Sequence, residues 1–79
     1  MNAQEMFEKL GFEKVESKTD DERFIRFEML NSEYNHIIVF DLQFKDLYVQ
    51  RQFMELSLLI AITQQMKELG WLWNTKNQI

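Results

Sequence analysis

Residues 24–44 read FIRFEMLNSEYNHIIVFDLQF, and this stretch decides the fold. Ile25, Phe27 and Met29 alternate with Arg26 and Glu28, which is the period of a half-buried strand. A polar segment, Asn31-Ser32-Glu33-Tyr34-Asn35, interrupts the pattern. The alternation then resumes, with Ile38, Phe40, Leu42 and Phe44 sharing one face. Downstream, LYVQRQF at 47–53 reads as another strand, with Leu47, Val49 and Phe53 alternating. Upstream, Phe12 to Lys18 is a weaker first strand. Turns are expected at Thr19-Asp20-Asp21-Glu22, at 31–35 and near Lys45-Asp46. The acidic turn lacks the spacing, the glycine and the closing glutamate of a calcium loop. The loops are short, so neighbouring strands should pair antiparallel.

A helix is expected on each side of this meander. The first runs from about Ala3 to Leu10, with Asn2 as N-cap and Glu5 completing a capping box. Ala3, Met6, Phe7 and Leu10 form its apolar stripe. The last runs from about Leu58 to Leu69, with Ser57 as N-cap, or starts earlier, near Phe53. Leu58, Leu59, Ile62, Met66 and Leu69 share one face, and Ile60 points the opposite way. The chain has two glycines, and both follow a helix: Lys9-Leu10-Gly11-Phe12 and Glu68-Leu69-Gly70-Trp71. A glycine there takes the left-handed conformation cheaply, and the next residue packs back on the last turn. Phe12 should return to Phe7, and Trp71 to Met66. The fold class is therefore α+β, a three- or four-stranded antiparallel meander flanked by two helices, α-β-β-β-(β)-α. Both helices should cover one sheet face. The other face then carries Phe24, Leu30, Ile37, Val39 and Tyr48 beside Arg26, Glu28, Asp41 and Gln43.

Composition sets the bounds. Seventy-nine residues allow one domain, expected over 1–73 with a frayed tail at 74–79. A chain this small buries only about 60% of its unfolded surface. It is 46% hydrophobic and 14% aromatic, which excludes intrinsic disorder. It has no cysteine, which removes disulfides, thiolate metal sites and a cysteine nucleophile together. Small secreted domains usually need such staples, so a cytoplasmic location is favoured. No signal peptide is expected from the opening MNAQEMFEKL. The longest apolar run, Leu58 to Ile62, falls far short of a bilayer span.

Charge narrows the partners. Thirteen acids against nine bases give −4. Residues 1–46 hold eleven acids and six bases, net −5, and residues 47–79 hold two acids and three bases, net +1. No Lys/Arg cluster exists to meet a phosphate backbone, which argues against nucleic acid. Phe24 and Tyr48 are the only candidates for base stacking on the sheet. No glycine-rich phosphate loop can be written, and no cofactor is implied.

Chemistry-bearing residues are few. His36, the one histidine, stands at the start of a strand. A catalytic alternative would pair His36 with Glu28 or Asp41, if Glu28 and Asp41 face each other across adjacent strands with Arg26 and Arg51 neutralising them. The bland reading is ordinary cross-strand charge pairing and a strand-edge histidine. Trp73 has no evident structural role and serves either as an interface anchor or as extra core.

EMFEKLGFEKVE, FIRFEMLNSEYNHIIVFDL and MKELGW together resemble small accessory proteins of phages and prophages of Gram-positive bacteria. The resemblance spans about residues 5–72 and implies a bacterial cytoplasm. It implies no catalytic residue. The functional expectation is a non-enzymatic protein-interaction module. It would act through an apolar sheet face, as a homodimer or on a host or phage protein, using Phe24, Leu30, Ile37, Val39, Tyr48, Ile60 and Trp73. The alternatives are single-stranded nucleic-acid binding through the sheet and an enzyme built on His36.

Overall fold

A computed structural model of the chain describes residues 1–16, 23–29 and 35–72. In chain order these form α1 (Ala3–Lys9), β1 (Glu13–Val15), β2 (Phe24–Met29), β3 (His36–Asp41), β4 (Asp46–Gln50) and α2 (Leu56–Glu68). The sheet has four strands in the order β1-β2-β3-β4, each pair antiparallel. The α+β meander between two helices is thus present, in its four-stranded form. The expected turns at 19–22 and 31–34, together with Leu30, Trp73 and the tail at 74–79, lie outside the described residues.

The helix-ending chemistry is realised twice. The Glu5 amide donates to the Asn2 side chain at 2.8 Å, and the Asn2 amide donates to the Glu5 carboxylate at 3.2 Å. This capping box satisfies two amides of α1 that have no helical partner. At the far end Gly11 has φ +95°, and the Phe12 amide donates to the Phe7 carbonyl at 3.0 Å. Gly70 repeats the device at φ +75°, with the Trp71 amide on the Met66 carbonyl at 2.9 Å.

Helix α2 begins at Leu56, two residues before the expected Leu58, and its N-cap is Glu55 rather than Ser57. Glu55 makes no side-chain cap bond, because its carboxylate is held by Arg51 at 3.0 Å. Ser57 lies inside the first turn, and the fully buried Leu58 seats that turn on the core.

Two strands are shorter than their alternation suggests. Strand β3 stops at Asp41, so Leu42 and Phe44 fall in the turn and not on a strand face. The Asp41 carboxylate ends the strand by accepting from the Gln43 and Phe44 amides at 3.0 and 3.2 Å. Such local side-chain bonds compete with the ladder. Lys45 closes the turn at φ +56°, and Phe44 is exposed. Strand β4 stops at Gln50, which leaves Phe53 outside the sheet and exposed.

Both helices cover the same face of the sheet. Phe27, Ile38 and Phe40 from the strands meet Ala3 and Phe7 of α1, Leu58, Ala61 and Ile62 of α2, and Phe12. The Phe7 and Phe27 rings stack with centroids 4.0 Å apart, while Phe12 and Phe40 present edges to Phe7 at 5.9 and 6.3 Å. Trp71 adds its edge to Phe40 at 6.1 Å. Offset and edge-to-face pairs of this kind add to area burial.

Candidate interaction surfaces

Register builds the open sheet face. Three rows cross it: Glu28–Ile37–Gln50, Arg26–Val39–Tyr48 and Phe24–Asp41–Asp46. Phe24 and Tyr48 are exposed, and Ile37 and Val39 are half-buried between them. Seven of the residues expected on this face are therefore there: Phe24, Arg26, Glu28, Ile37, Val39, Asp41 and Tyr48. Gln43 is not, since it sits in the β3–β4 turn.

The carboxylates differ from expectation. Glu28 lies opposite Ile37 and Asp41 opposite Phe24, so the two do not face each other. The inward pairs Ile25–Phe40 and Phe27–Ile38 set that register, because a one-residue slip would expel them from the core. Each carboxylate has its own arginine. Arg23 grips Asp41 through Nε and Nη2 at 3.2 and 3.0 Å. Arg26 Nε donates to Glu28 at 2.7 Å. Arg51 neutralises neither, because it lies against the core ring of Phe12 and pairs with Glu55.

The titration of Asp41 is displaced. The Arg23 guanidinium holds its carboxyl below the ordinary aspartate value. Partial burial opposes this, and the Phe44 and Gln43 amides reinforce it. Arg23 is itself flanked by the Phe24 and Phe44 rings, 4.9 Å from each centroid. The cluster is a turn clamp, and every donor and acceptor named in it is occupied.

His36 opens β3, opposite Met29 and on the strand face of Ile38. With Glu28, Arg26, Met29, Asn35 and Ile37 it borders a shallow hollow. His36 and Glu28 border that hollow from opposite faces of the sheet, while Asp41 is at the other end of β3. Glu28 in that hollow is already held by Arg26. No group of three or more His, Asp or Glu among the described residues is placed to hold a metal ion.

Helix α2 presents the more apolar surface. At about 100° per residue, Leu58, Ala61, Ile62 and Gln65 face the core. Leu56, Ile60, Thr63 and Lys67 form the opposite stripe, with Leu59 at its edge. Leu56 is 72% exposed, Ile60 51% and Leu59 47%. Phe53, at 64%, and the exposed Met54 extend the patch beyond the helix. Ile60 was placed correctly by helical period, but it shares no surface with the open sheet face, since the core lies between them. Leu59, expected on the inward face with Leu58, is instead exposed at the edge of the outward stripe, because at 100° per residue it falls about 100° from Leu58; Leu56 is not singled out from sequence. The signal for both is the absence of charge from 56 to 66, LSLLIAITQQM.

Among the described residues no helix is long and apolar enough to cross a membrane. No family model, curated protein or solved structure matches the chain.

Proposed function

We propose that this chain is a non-enzymatic protein-interaction module, a phage or prophage accessory protein of the bacterial cytoplasm, docking through the outward side of α2. The accessory and cytoplasmic parts of this reading rest on the sequence resemblance alone. One observation carries the docking surface: Leu56, Leu59 and Ile60 stand in solvent on a helix whose residues 56–66 bear no charge. Contiguous exposed apolar patches on small proteins mark interaction sites. The sheet face is the weaker candidate. Its apolar residues are interleaved with the Arg23–Asp41 and Arg26–Glu28 pairs, which a partner would have to desolvate.

A photo-crosslinking residue placed at Ile60, and separately at Tyr48, tests this in cells. The expected result is one discrete adduct from position 60 and little from position 48. Adducts from position 48 alone would move the docking surface to the sheet. No adduct from either would sink the module reading.

A further inference from the structure

We infer that the outward stripe of α2 is a self-association surface, taking α2 of a second copy in an antiparallel two-helix seam whose two-fold axis passes near Ile60. The inference rests on the module reading and names its partner.

The stripe has the spacing of a helix–helix seam. Leu56, Ile60, Thr63 and Lys67 follow at intervals of four, three and four, the 3.5-residue repeat that keeps two helices in register. The inward stripe of α2 is filled by the core. The outward one has the same apolar character over its first half and nothing covering it among the described residues.

Charge selects a second copy, and selects its direction. The chain carries −4, yet residues 56–66 carry none, so two copies meet there without like-charge repulsion. On the stripe side the flanking charges are opposite in sign, Glu55 before the helix and Lys67 in its last turn, while Glu68 in the same turn is engaged by the Ala3 amide and Gln64. An antiparallel crossing brings Glu55 of each copy towards Lys67 of the other, twice by symmetry. A parallel crossing sets like against like. The side chain of Glu55 is 38% exposed, and one of its carboxylate oxygens is held by Arg51, leaving the other for the ammonium. The one uncharged polar side chain inside the stripe, Thr63, is already satisfied, because its hydroxyl donates to the Leu59 carbonyl at 2.8 Å. Covering Thr63 therefore orphans no donor.

Helix α2 is about 20 Å long, so the seam is smaller than a standard interface of about 800 Å² per partner. The dimer should accordingly be a weak one, dissociating on the order of 10–100 µM.

Sedimentation velocity on the full chain from about 10 to about 500 µM tests this. The weight-average mass should climb from 9.7 kDa toward twice that value. Ile60→Glu, and separately Leu56→Glu, should each weaken association at least about tenfold. Both positions are exposed, so far-UV circular dichroism of the dilute variants should match the parent. Val39→Glu on the sheet face should leave association unchanged. Because the chain has no cysteine, Ile60→Cys should give a disulfide-linked dimer on oxidation, and Gln43→Cys should not. A chain that stays monomeric at the highest concentration overturns the inference. So does a dimer lost in Val39→Glu and kept in Ile60→Glu. A monomer whose position 60 crosslinks to a different protein overturns self-pairing and leaves the module reading standing. A monomer with no crosslink overturns both.

Discussion

Asp41 ties the β3–β4 turn to the entry of β2. It caps the β3–β4 turn through two amides and binds Arg23 from β2's entry through both oxygens. Its carboxyl titrates below the ordinary value of about 3.9, chiefly because of the Arg23 side chain. A depressed carboxyl contributes stability that is present above the unfolded value and is lost as pH falls through the folded one. Asp41→Asn keeps the acceptor for the turn but loses the ion pair. Its urea midpoint should lie below that of the parent at pH 7, and the gap should close in acid, below about pH 3.9. A gap that stays constant down to acid would show that the charge on Asp41 contributes nothing. Arg51 poses the opposite case. Its side chain is 8% exposed, and Nε and Nη1 are buried without a hydrogen-bond partner. The Phe12 and Phe53 rings lie 5.5 and 5.7 Å from the guanidinium and offset part of that cost. Replacing a half-satisfied buried charge by an apolar side chain of similar length is often neutral or stabilising. Arg51→Met leaves Glu55 with access to water, so unfolding free energy should hold or rise, by up to about 2 kcal/mol. A loss above about 1 kcal/mol in chemical denaturation would show that the ring contacts dominate.

At the scale of elements, the two helices are tied by more than apolar contact. The Ala3 amide, in the first turn of α1, donates to the Glu68 carboxylate at the end of α2 at 2.7 Å. Gln64 supports the same carboxylate at 3.0 Å. Glu68→Ala removes a charged acceptor from a helix start, and should cost about 1 kcal/mol. Hydrogen exchange at the α1 amides should rise more than exchange in β3; uniform change would show that the tie is not local. This contact joins residues 65 positions apart, and no local pattern announces it. The caps were legible because Asn2, Glu5, Gly11 and Gly70 act on their own helix ends. The alternation of β2 and β3 was legible because one face is buried. The strand ends were not, because at Asp41 a side-chain turn outcompeted a hydrophobic pattern that ran on to Phe44. The start of α2, at Leu56, falls between the two starts the sequence allows: Ser57 is the better cap chemically, but Arg51 engages Glu55 and Leu58 anchors the turn. Of the candidate site, Ile60, Phe24, Ile37, Val39 and Tyr48 were placed on their surfaces by period alone. That these are two surfaces and not one follows only from which side of the sheet the helices occupy.

For the molecule as a whole, the apolar residues are divided unevenly. Among the described residues nine side chains make the fully buried core, while Phe53, Leu56, Leu59 and Ile60 lie outside it. A domain of this size has little stability in reserve, on the order of 4–12 kcal/mol at 0.05–0.15 kcal/mol per residue. Association that binds only the folded state adds to that by mass action. If α2 pairs with α2 of a second copy, the melting temperature must depend on protein concentration. It should rise by a few degrees between about 10 and about 500 µM, since about 1 kcal/mol shifts a small domain by about 4–8 °C. Ile60→Glu should flatten that dependence while leaving the stability of the dilute protein within about 0.5 kcal/mol of the parent, as befits an exposed position. A parent melting temperature independent of concentration would mean that the stripe contributes nothing to the folded state of this chain by itself. Its exposed leucines would then matter only against a different protein, whose addition, and not a higher concentration of the chain, should raise the transition.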